Sequence, residues 1–135
     1  MNNTKITILA VALSCCALQA QASYTACSEV IKAGGNTFPL TSITMFEGNV
    51  SDNASQAPAS STKERIYEGE RLTANYAFRS RDDMTFVCAY AGTQTVETHH
   101  VPVQSTACTV KTRREKSAQF ENKLVIAHNS IQCKY

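Results

Sequence analysis

Six cysteines constrain this 135-residue chain more than any other feature. Two of them lie in a hydrophobic N-terminal segment. The other four are spread over the rest of the chain: Cys27, Cys88, Cys108 and Cys133. An even number of cysteines in an exported chain indicates disulfide bonds, because the compartment is oxidising. We therefore expect a small domain that covalent cross-links stabilise.

The N-terminus has the parts of a secretory signal peptide. Lys5 supplies a positive charge, residues 6–18 form an apolar stretch too short to span a bilayer comfortably, and Ala-Gln-Ala at 20–22 fits a cleavage motif. A lipoprotein acylated at Cys15 or Cys16 is the alternative. The residues before these cysteines fit that motif poorly.

Chain length and charge indicate one soluble domain. A signal peptide of residues 1–22 leaves residues 23–135 as the mature domain, which is a common domain size. Without Lys5, twelve basic residues stand against eleven acidic ones, whereas nucleic-acid binders normally have a basic excess. We expect a periplasmic monomer without a membrane anchor in its mature form and without a nucleic-acid partner.

Four cysteines allow three disulfide pairings, and the sequence does not choose among them rigorously. We favour Cys27–Cys88 with Cys108–Cys133, because the second bond would join two C-terminal strands that we expect to be neighbours. A zinc site is the competing use of four cysteines, but the chain has no C-x-x-C pair. We predict no metal site.

Alternating apolar and polar residues predict β-strands along most of the mature chain. In residues 71–78, for example, Leu72, Ala74 and Tyr76 share one face. The other predicted strands are residues 42–47, 84–90, 93–98 and 107–111, followed by one bent or two short strands in 124–127 and 131–134. The fold class is mainly β: a single antiparallel domain, either a sandwich or barrel-like, stapled by two disulfides.

The segments between these strands are less regular. We interpret residues 71–98 as two consecutive hairpins that form a meander. Residues 28–33 suggest a helical turn, residues 48–63 a solvated loop, and residues 112–122 either a long hairpin tip or one short helix.

No residue pattern in the mature chain predicts catalysis. A serine nucleophile would need an elbow such as G-x-S-x-G, which is missing. His99 and His100 are adjacent, so on a strand they point to opposite faces and cannot easily bind one metal ion. Glu68 and Glu70 lie in a highly charged stretch without the aromatic surroundings that raise a carboxyl pKa for glycosidase chemistry. We expect a binding protein without a cofactor.

Several short motifs resemble a known family: FVCAY at residues 86–90, Gly-Thr at 92–93, Cys-Thr-Val at 108–110 and a final Cys133. They resemble small exported bacterial proteins found beside type VI secretion loci. The closest match is to periplasmic immunity proteins that neutralise L,D-transpeptidase-related peptidoglycan effectors. The resemblance implies an inhibitor that binds a secreted effector tightly. A tryptophan common in that family is absent, and we expect Tyr76 to take its place.

Residues for effector binding follow from charge and residue type. The turn at residues 79–83 combines both charge signs and is the predicted insert into the groove of the effector. Tyr76 would add an aromatic anchor if it faces outward. Arg113 and Arg114 would offer a second surface for an acidic partner. The charged residues of the turn are Arg79, Arg81, Asp82 and Asp83.

Two other functions fit the same size and export signal. An inhibitor of host lysozyme is one, although the usual S-x-S-G-A-R-Y-type loop is missing. The other is an envelope or surface-binding component without an inhibitory role. Copurification of a cell-wall hydrolase would separate the two inhibitors from this third function.

Overall fold

The computed structural model describes residues 22–48, 55–57, 59–66, 69–79 and 83–134, and these form ten β-strands and one 3₁₀ helix. The strands are β1 (Ala22–Thr25), β2 (Val30–Ala33), β3 (Asn36–Glu47), β4 (Ser55–Gln56), β5 (Ser60–Ile66), β6 (Gly69–Ala77), β7 (Met84–Tyr90), β8 (Val96–His100), β9 (Ala107–Ser117) and β10 (Lys123–Lys134). The 3₁₀ helix, Ala118–Phe120, connects β9 to β10. Apart from Ala22, the predicted signal peptide lies outside the described residues.

The strands form two antiparallel sheets. Sheet I has the order β1-β10-β9-β6-β5, and sheet II has the order β2-β3-β7-β8 with β4 also paired to β3. Among the described residues no strand pair joins the two sheets. The predicted mainly antiparallel β domain with two disulfides is confirmed.

One apolar core holds the two sheets together. Tyr76 on β6 and Phe86 on β7 meet edge to face with 5.8 Å between ring centroids. Leu40, Met45 and Ile131 are almost completely buried in the same core. Burying a large apolar side chain contributes about 1.5–3 kcal/mol. Burial of these side chains between the sheets therefore favours their association.

Strand β7 occupies the centre of sheet II, and this position overturns part of the predicted meander. Residues 84–88 are all buried, which suits a strand covered on both faces. β7 pairs with β3 and β8, whereas β6, with one polar face, pairs with β5 and β9 in sheet I. The predicted β7–β8 hairpin is confirmed, but the β6–β7 hairpin is wrong. Residues 79–83 instead connect the two sheets.

Three other segments differ from the sequence interpretation. Residues 28–33, predicted as a helical turn, contain β2, which pairs with β3. The loop predicted for residues 48–63 contains β4 and the start of β5. In residues 112–122 the long hairpin is correct, and β9 continues to Ser117 before a single 3₁₀ turn. Partner strands supply the backbone hydrogen bonds in each case, and a local pattern cannot reveal them.

The two disulfides have the favoured pairing and act in different places. Cys108 and Cys133 are direct partners on β9 and β10, with Cα atoms 4.1 Å apart, so their bond reinforces sheet I. Cys27, which follows β1, bonds Cys88 on β7 with Cα atoms 5.9 Å apart. This second bond connects the edge of sheet I to the centre of sheet II.

The side chain of Asn129 fixes the backbone of Cys27. The Cys27 amide donates to Asn129 Oδ1 at 2.7 Å, and Asn129 Nδ2 donates to the Cys27 carbonyl at 2.9 Å. The last backbone pair of β1 with β10 is Thr25 opposite Ile131. The side-chain amide therefore extends this ladder by one step and leads the chain toward sheet II.

Loss of the Cys27–Cys88 bond should destabilise the domain more than loss of Cys108–Cys133. The first closes a sequence separation of 61 residues and the second one of 25. Loop-closure entropy then gives about 4.3 against about 3.5 kcal/mol. Urea unfolding of the paired variants Cys27→Ala/Cys88→Ala and Cys108→Ala/Cys133→Ala measures both losses. Unfolding free energies equal to that of the wild type would contradict this account.

Candidate functional site

The outer face of sheet I, turned away from the core, carries polar side chains in registered rows. Directly opposite residues of antiparallel strands place their side chains about 5 Å apart on one face. The first row contains Glu64, Arg71, Arg113 and His128; the second Thr62, Thr73, Lys111 and Ser130; the third Ser60, Asn75, Thr109, Gln132 and Tyr24. We call the three side chains Arg71, Lys111 and Arg113 the cationic face.

A β-bulge in β10 brings His128 beside the cationic face. The register shifts between Ile126, which faces Arg114, and His128, which faces Arg113. Without the extra residue, Ala127 would lie opposite Arg113. Bulges often redirect side chains beside functional sites. Here the bulge replaces a methyl group with an imidazole in the first row.

Positive charge on the cationic face is only partly neutralised. Arg71 and Arg113 are direct cross-strand partners, and like charges in this position lower stability. Arg113 Nε lies 2.7 Å from Glu115 Oε1. Neither Arg71 nor Lys111 forms an ion pair with a carboxylate in the part of the chain that the structure describes. The nearest acidic residue in the register of Arg71 is Glu64, directly opposite it on β5.

A shallow groove of about 350 Å³ crosses this face. It is lined by residues of β6, β9 and β10: Arg71, Leu72, Thr73, Lys111, Thr112, Arg113, His128, Asn129 and Ser130. Arginine and lysine side chains are donors without acceptor atoms. The groove therefore offers hydrogen bonds and charge that suit an anionic group.

Tyr24 is the exposed aromatic residue of the same face. Its side chain is 73% exposed, and Gln132 Nε2 donates to its hydroxyl oxygen at 3.0 Å. Tyrosine and arginine are among the residue types that are enriched at the hot spots of protein interfaces. Tyr24 stands in the third row, two rows away from Arg113.

The predicted pair Arg113 and Arg114 is divided between the two sides of sheet I. Arg113 points outward, as described above. Arg114 points toward sheet II, where its Nη1 lies 3.4 Å from Glu70 Oε1 and its Nη2 donates to the Thr41 carbonyl at 3.3 Å. Successive residues of a strand face opposite ways, so only Arg113 belongs to the outer surface.

Tyr76 is buried rather than available as an outward anchor. It is 7% exposed, and its ring packs on Phe86. Burial raises the pKa of its hydroxyl. We therefore leave Tyr76 out of the candidate interface.

The predicted turn at residues 79–83 is described only at its two ends. Arg79 and Asp83 are exposed, and the Asp83 carbonyl accepts a hydrogen bond from the Gly48 amide at 2.8 Å. Arg81 and Asp82 lie outside the described residues. As part of the connection between the sheets, the turn lies at the end of β6 that is farther from Arg71.

Sequence reasoning missed Arg71, Lys111, His128 and Tyr24 as surface residues of one site. Alternation placed Arg71 on the polar side of its strand. The same alternation, extended through residues 107–115, would have put Lys111 and Arg113 on one face. The pairing of β6 with β9 brings Arg71 beside Lys111 and Arg113. No local sequence pattern predicts that pairing.

Comparison with known proteins identifies the family. The family model of the Type VI secretion system Tli immunity protein matches residues 35–134. The chain belongs to this family. No curated protein and no solved structure matches the chain.

Membership assigns a type VI secretion immunity function, in which the protein binds a cognate secreted effector. Membership in an immunity family implies an inhibitor of that effector. The predicted recognition of a type VI immunity protein is thereby confirmed at the level of the family. Among the described residues, no helix is a candidate for a membrane span.

The immunity protein also contains a polar cluster beside the Cys27–Cys88 bond. Tyr90 donates to the Ser28 carbonyl at 2.8 Å, and its hydroxyl lies 3.3 Å from Glu97 Oε2. His99 Nε2 lies 2.7 Å from Glu97 Oε1. His99 and the two sulfur atoms lie within 4.8 Å of one another, but the disulfide leaves no thiolate to bind a metal ion.

Electrostatics within this cluster favour a neutral tyrosine and an ionised glutamate. Burial, and then the charge of Glu97, raise the pKa of Tyr90 to about 12. Burial alone would raise the pKa of Glu97, but hydrogen bonds from Ser28 and His99 outweigh it and lower that pKa. The cluster fixes the segment after β1 against β7 and β8, so its role is structural.

Replacing Glu97 with glutamine should destabilise the immunity protein by about 1 kcal/mol at neutral pH, because a charge-assisted contact is lost. A lowered folded-state pKa contributes stability above the ordinary value of 4.5, and this contribution disappears as pH falls through the lower pKa. Urea unfolding at pH 7 and pH 3 should therefore show that the unfolding free energies of the wild type and Glu97→Gln differ less at pH 3 than at pH 7. Glu121→Gln, at a side chain 84% exposed, is the control. A constant difference between wild type and Glu97→Gln would contradict the assignment.

Proposed function

We propose that the protein is a periplasmic immunity protein that binds a type VI secreted, peptidoglycan-targeting effector related to L,D-transpeptidases. By covering the catalytic groove of this effector, it protects the producing cell. The match to the Tli immunity family over residues 35–134 carries the proposal. The two disulfides and the predicted signal peptide of residues 1–22 support the periplasm as its compartment. The peptidoglycan target rests on the resemblance of the cysteine-containing strands.

Neutralisation by binding requires slow dissociation, and a rigid scaffold favours it. Each flexible segment that becomes ordered at an interface loses conformational entropy, and this loss weakens binding. Disulfides at Cys27 and Cys108, together with the Asn129 contact to Cys27, fix the segments of sheet I before the effector arrives. Most differences in affinity between related complexes lie in the dissociation rate. The mechanism needs no covalent step.

Two regions are proposed as contacts with the effector. One is the turn at residues 79–83, which contains Arg79, Arg81, Asp82 and Asp83. The other is the outward side of β9 at Arg113. Along the strand direction of sheet I these regions are roughly 25 Å apart. Substitutions can therefore test them separately.

Coexpression should show that the immunity protein protects cells from its effector in the periplasm. We expect normal growth with the full chain and growth arrest with a variant that lacks residues 1–22, because this variant remains where the effector does not act. With purified proteins, an equimolar amount should stop the effector from acting on isolated peptidoglycan. Growth curves measure the first result. Digestion assays measure the second, and size-exclusion chromatography shows whether the two proteins form a complex.

Three outcomes would change the proposal in different ways. Neutralisation of an effector that leaves peptidoglycan intact and attacks phospholipid would contradict the target class but not the immunity function. Inhibition of host lysozyme without an effector partner would favour the lysozyme-inhibitor alternative. Failure to bind any type VI effector would contradict the immunity function itself.

Substitutions in the turn should weaken neutralisation if the turn enters the groove of the effector. Arg79→Ala, Arg81→Ala and Asp83→Ala each remove one charged side chain, and the loss expected for a central interface residue is about 2 kcal/mol, or roughly 30-fold in affinity. Thermal unfolding checks that each variant is folded. If all three neutralise as well as the wild type, the turn does not enter the groove.

A further inference from the structure

We propose that the cationic face binds an acidic surface of the cognate effector, with Arg71 and Lys111 as the principal contacts. This inference rests on the proposed function and deepens it by naming the chemistry of the partner. It concerns residues that sequence reasoning did not single out. It also gives Arg113 a defined place in the interface.

Charge on the cationic face determines the kind of partner. Arg71, Lys111 and Arg113 stand in two adjacent rows on two neighbouring strands, so their charges are close together. Glu115 neutralises Arg113 in part, while Arg71 and Lys111 have no ion pair among the described residues. Guanidinium groups bind carboxylates with two parallel hydrogen bonds. Aspartate and glutamate side chains of a partner therefore complement this face.

Shape favours a protein partner over a small anion. Small-molecule sites are concave and enclose most of their ligand, whereas this groove is shallow and lies on a broad sheet. Sheet I has five strands and is thus about 19 Å wide, and the eleven residues of β9 span about 36 Å. The product of these lengths is similar to the ~800 Å² that one partner buries in a standard interface.

The cross-strand pair of Arg71 and Arg113 gives a second argument. Like charges in direct register reduce the stability of a sheet, and Glu64 opposite Arg71 and Glu115 beside Arg113 offset this cost only in part. Violations of folding rules are expected where a surface serves function. An acidic partner would remove the repulsion on binding. Relief of this repulsion would then strengthen binding.

Tyr24 and His128 complete the surface around the cations. Tyr24 is exposed on the same face, about 13 Å from the first row along the strand direction. His128 is exposed beside Arg113 because of the bulge in β10. The surface thus has an aromatic side chain at one end and charged donors at the other, and both residue types are common in protein interfaces.

The test compares two double variants in binding to the effector that copurifies with the wild-type protein. Arg71→Ala/Lys111→Ala removes two charges from the cationic face. Arg65→Ala/Lys32→Ala removes the same two residue types elsewhere, since Arg65 lies opposite Glu70 in the β5–β6 register, on the other face of sheet I, and Lys32 is exposed on β2. Dissociation constants are measured by calorimetry at low and high salt, and unfolding free energies by urea denaturation.

We expect the cationic-face variant to bind about 10- to 100-fold more weakly, with a smaller effect of salt on its affinity. Its stability should be close to that of the wild type, because the substitutions remove both the repulsion between Arg71 and Arg113 and the attraction between Arg71 and Glu64. The control variant should bind like the wild type. This combination cannot arise from misfolding.

The results that would contradict this inference differ from those that would contradict the proposed function. If the wild type neutralises the effector and the cationic-face variant does so equally well, the inference is wrong and the proposed function stands. If the wild type binds no effector, both are wrong. Vesicles of phosphatidylglycerol and phosphatidylcholine provide the last comparison. Binding to vesicles that depends on Arg71 and Lys111, with unchanged affinity for the effector, would assign the face to membranes instead.

Discussion

Cys27 joins the two sheets, and the rest of the structure depends on this junction. Its sulfur is bonded to Cys88, a completely buried residue in the central strand of sheet II. Its backbone is bound on both sides by the side chain of Asn129 in sheet I. The apolar core attracts the sheets without direction. The covalent bond and the two directed hydrogen bonds define how the edge of one sheet meets the centre of the other.

A fixed sheet I gives its outer face a defined geometry. Cys108 and Cys133 lock β9 to β10 in one register, and that register, with its bulge, determines which side chain stands beside Arg113. A slip of one residue would turn every side chain of a strand to the opposite face. The disulfide is therefore more than a source of stability, because it preserves the arrangement of charges that a partner would contact.

Much of this fold could be predicted from the sequence, but less of the surface could. Alternation identified β6 with its inward Leu72 and Ala74, and the expected proximity of the two C-terminal strands favoured the observed disulfide pairing without excluding the other two. The meander failed because residues 79–83 look like a hairpin turn, and nothing in them shows that β6 and β7 belong to different sheets. The same non-local pairing assembles Arg71 with Arg113. A surface that combines β6 with the distant hairpin of β9 and β10 has no local motif, so it can be recognised only when the register is known.

Adjacent arginines on β9 show how strand geometry separates stability from binding. Arg114 directs its charge inward, to Glu70 and to the Thr41 carbonyl, and so helps to connect the sheets. Arg113, one residue earlier, faces outward against another arginine. The same side-chain type therefore forms stabilising contacts on the inner face of sheet I and lies opposite a like charge on the outer face. A surface with two arginines in direct register gains most from an oppositely charged partner, and for this reason we propose the outer face of sheet I as the contact with the effector.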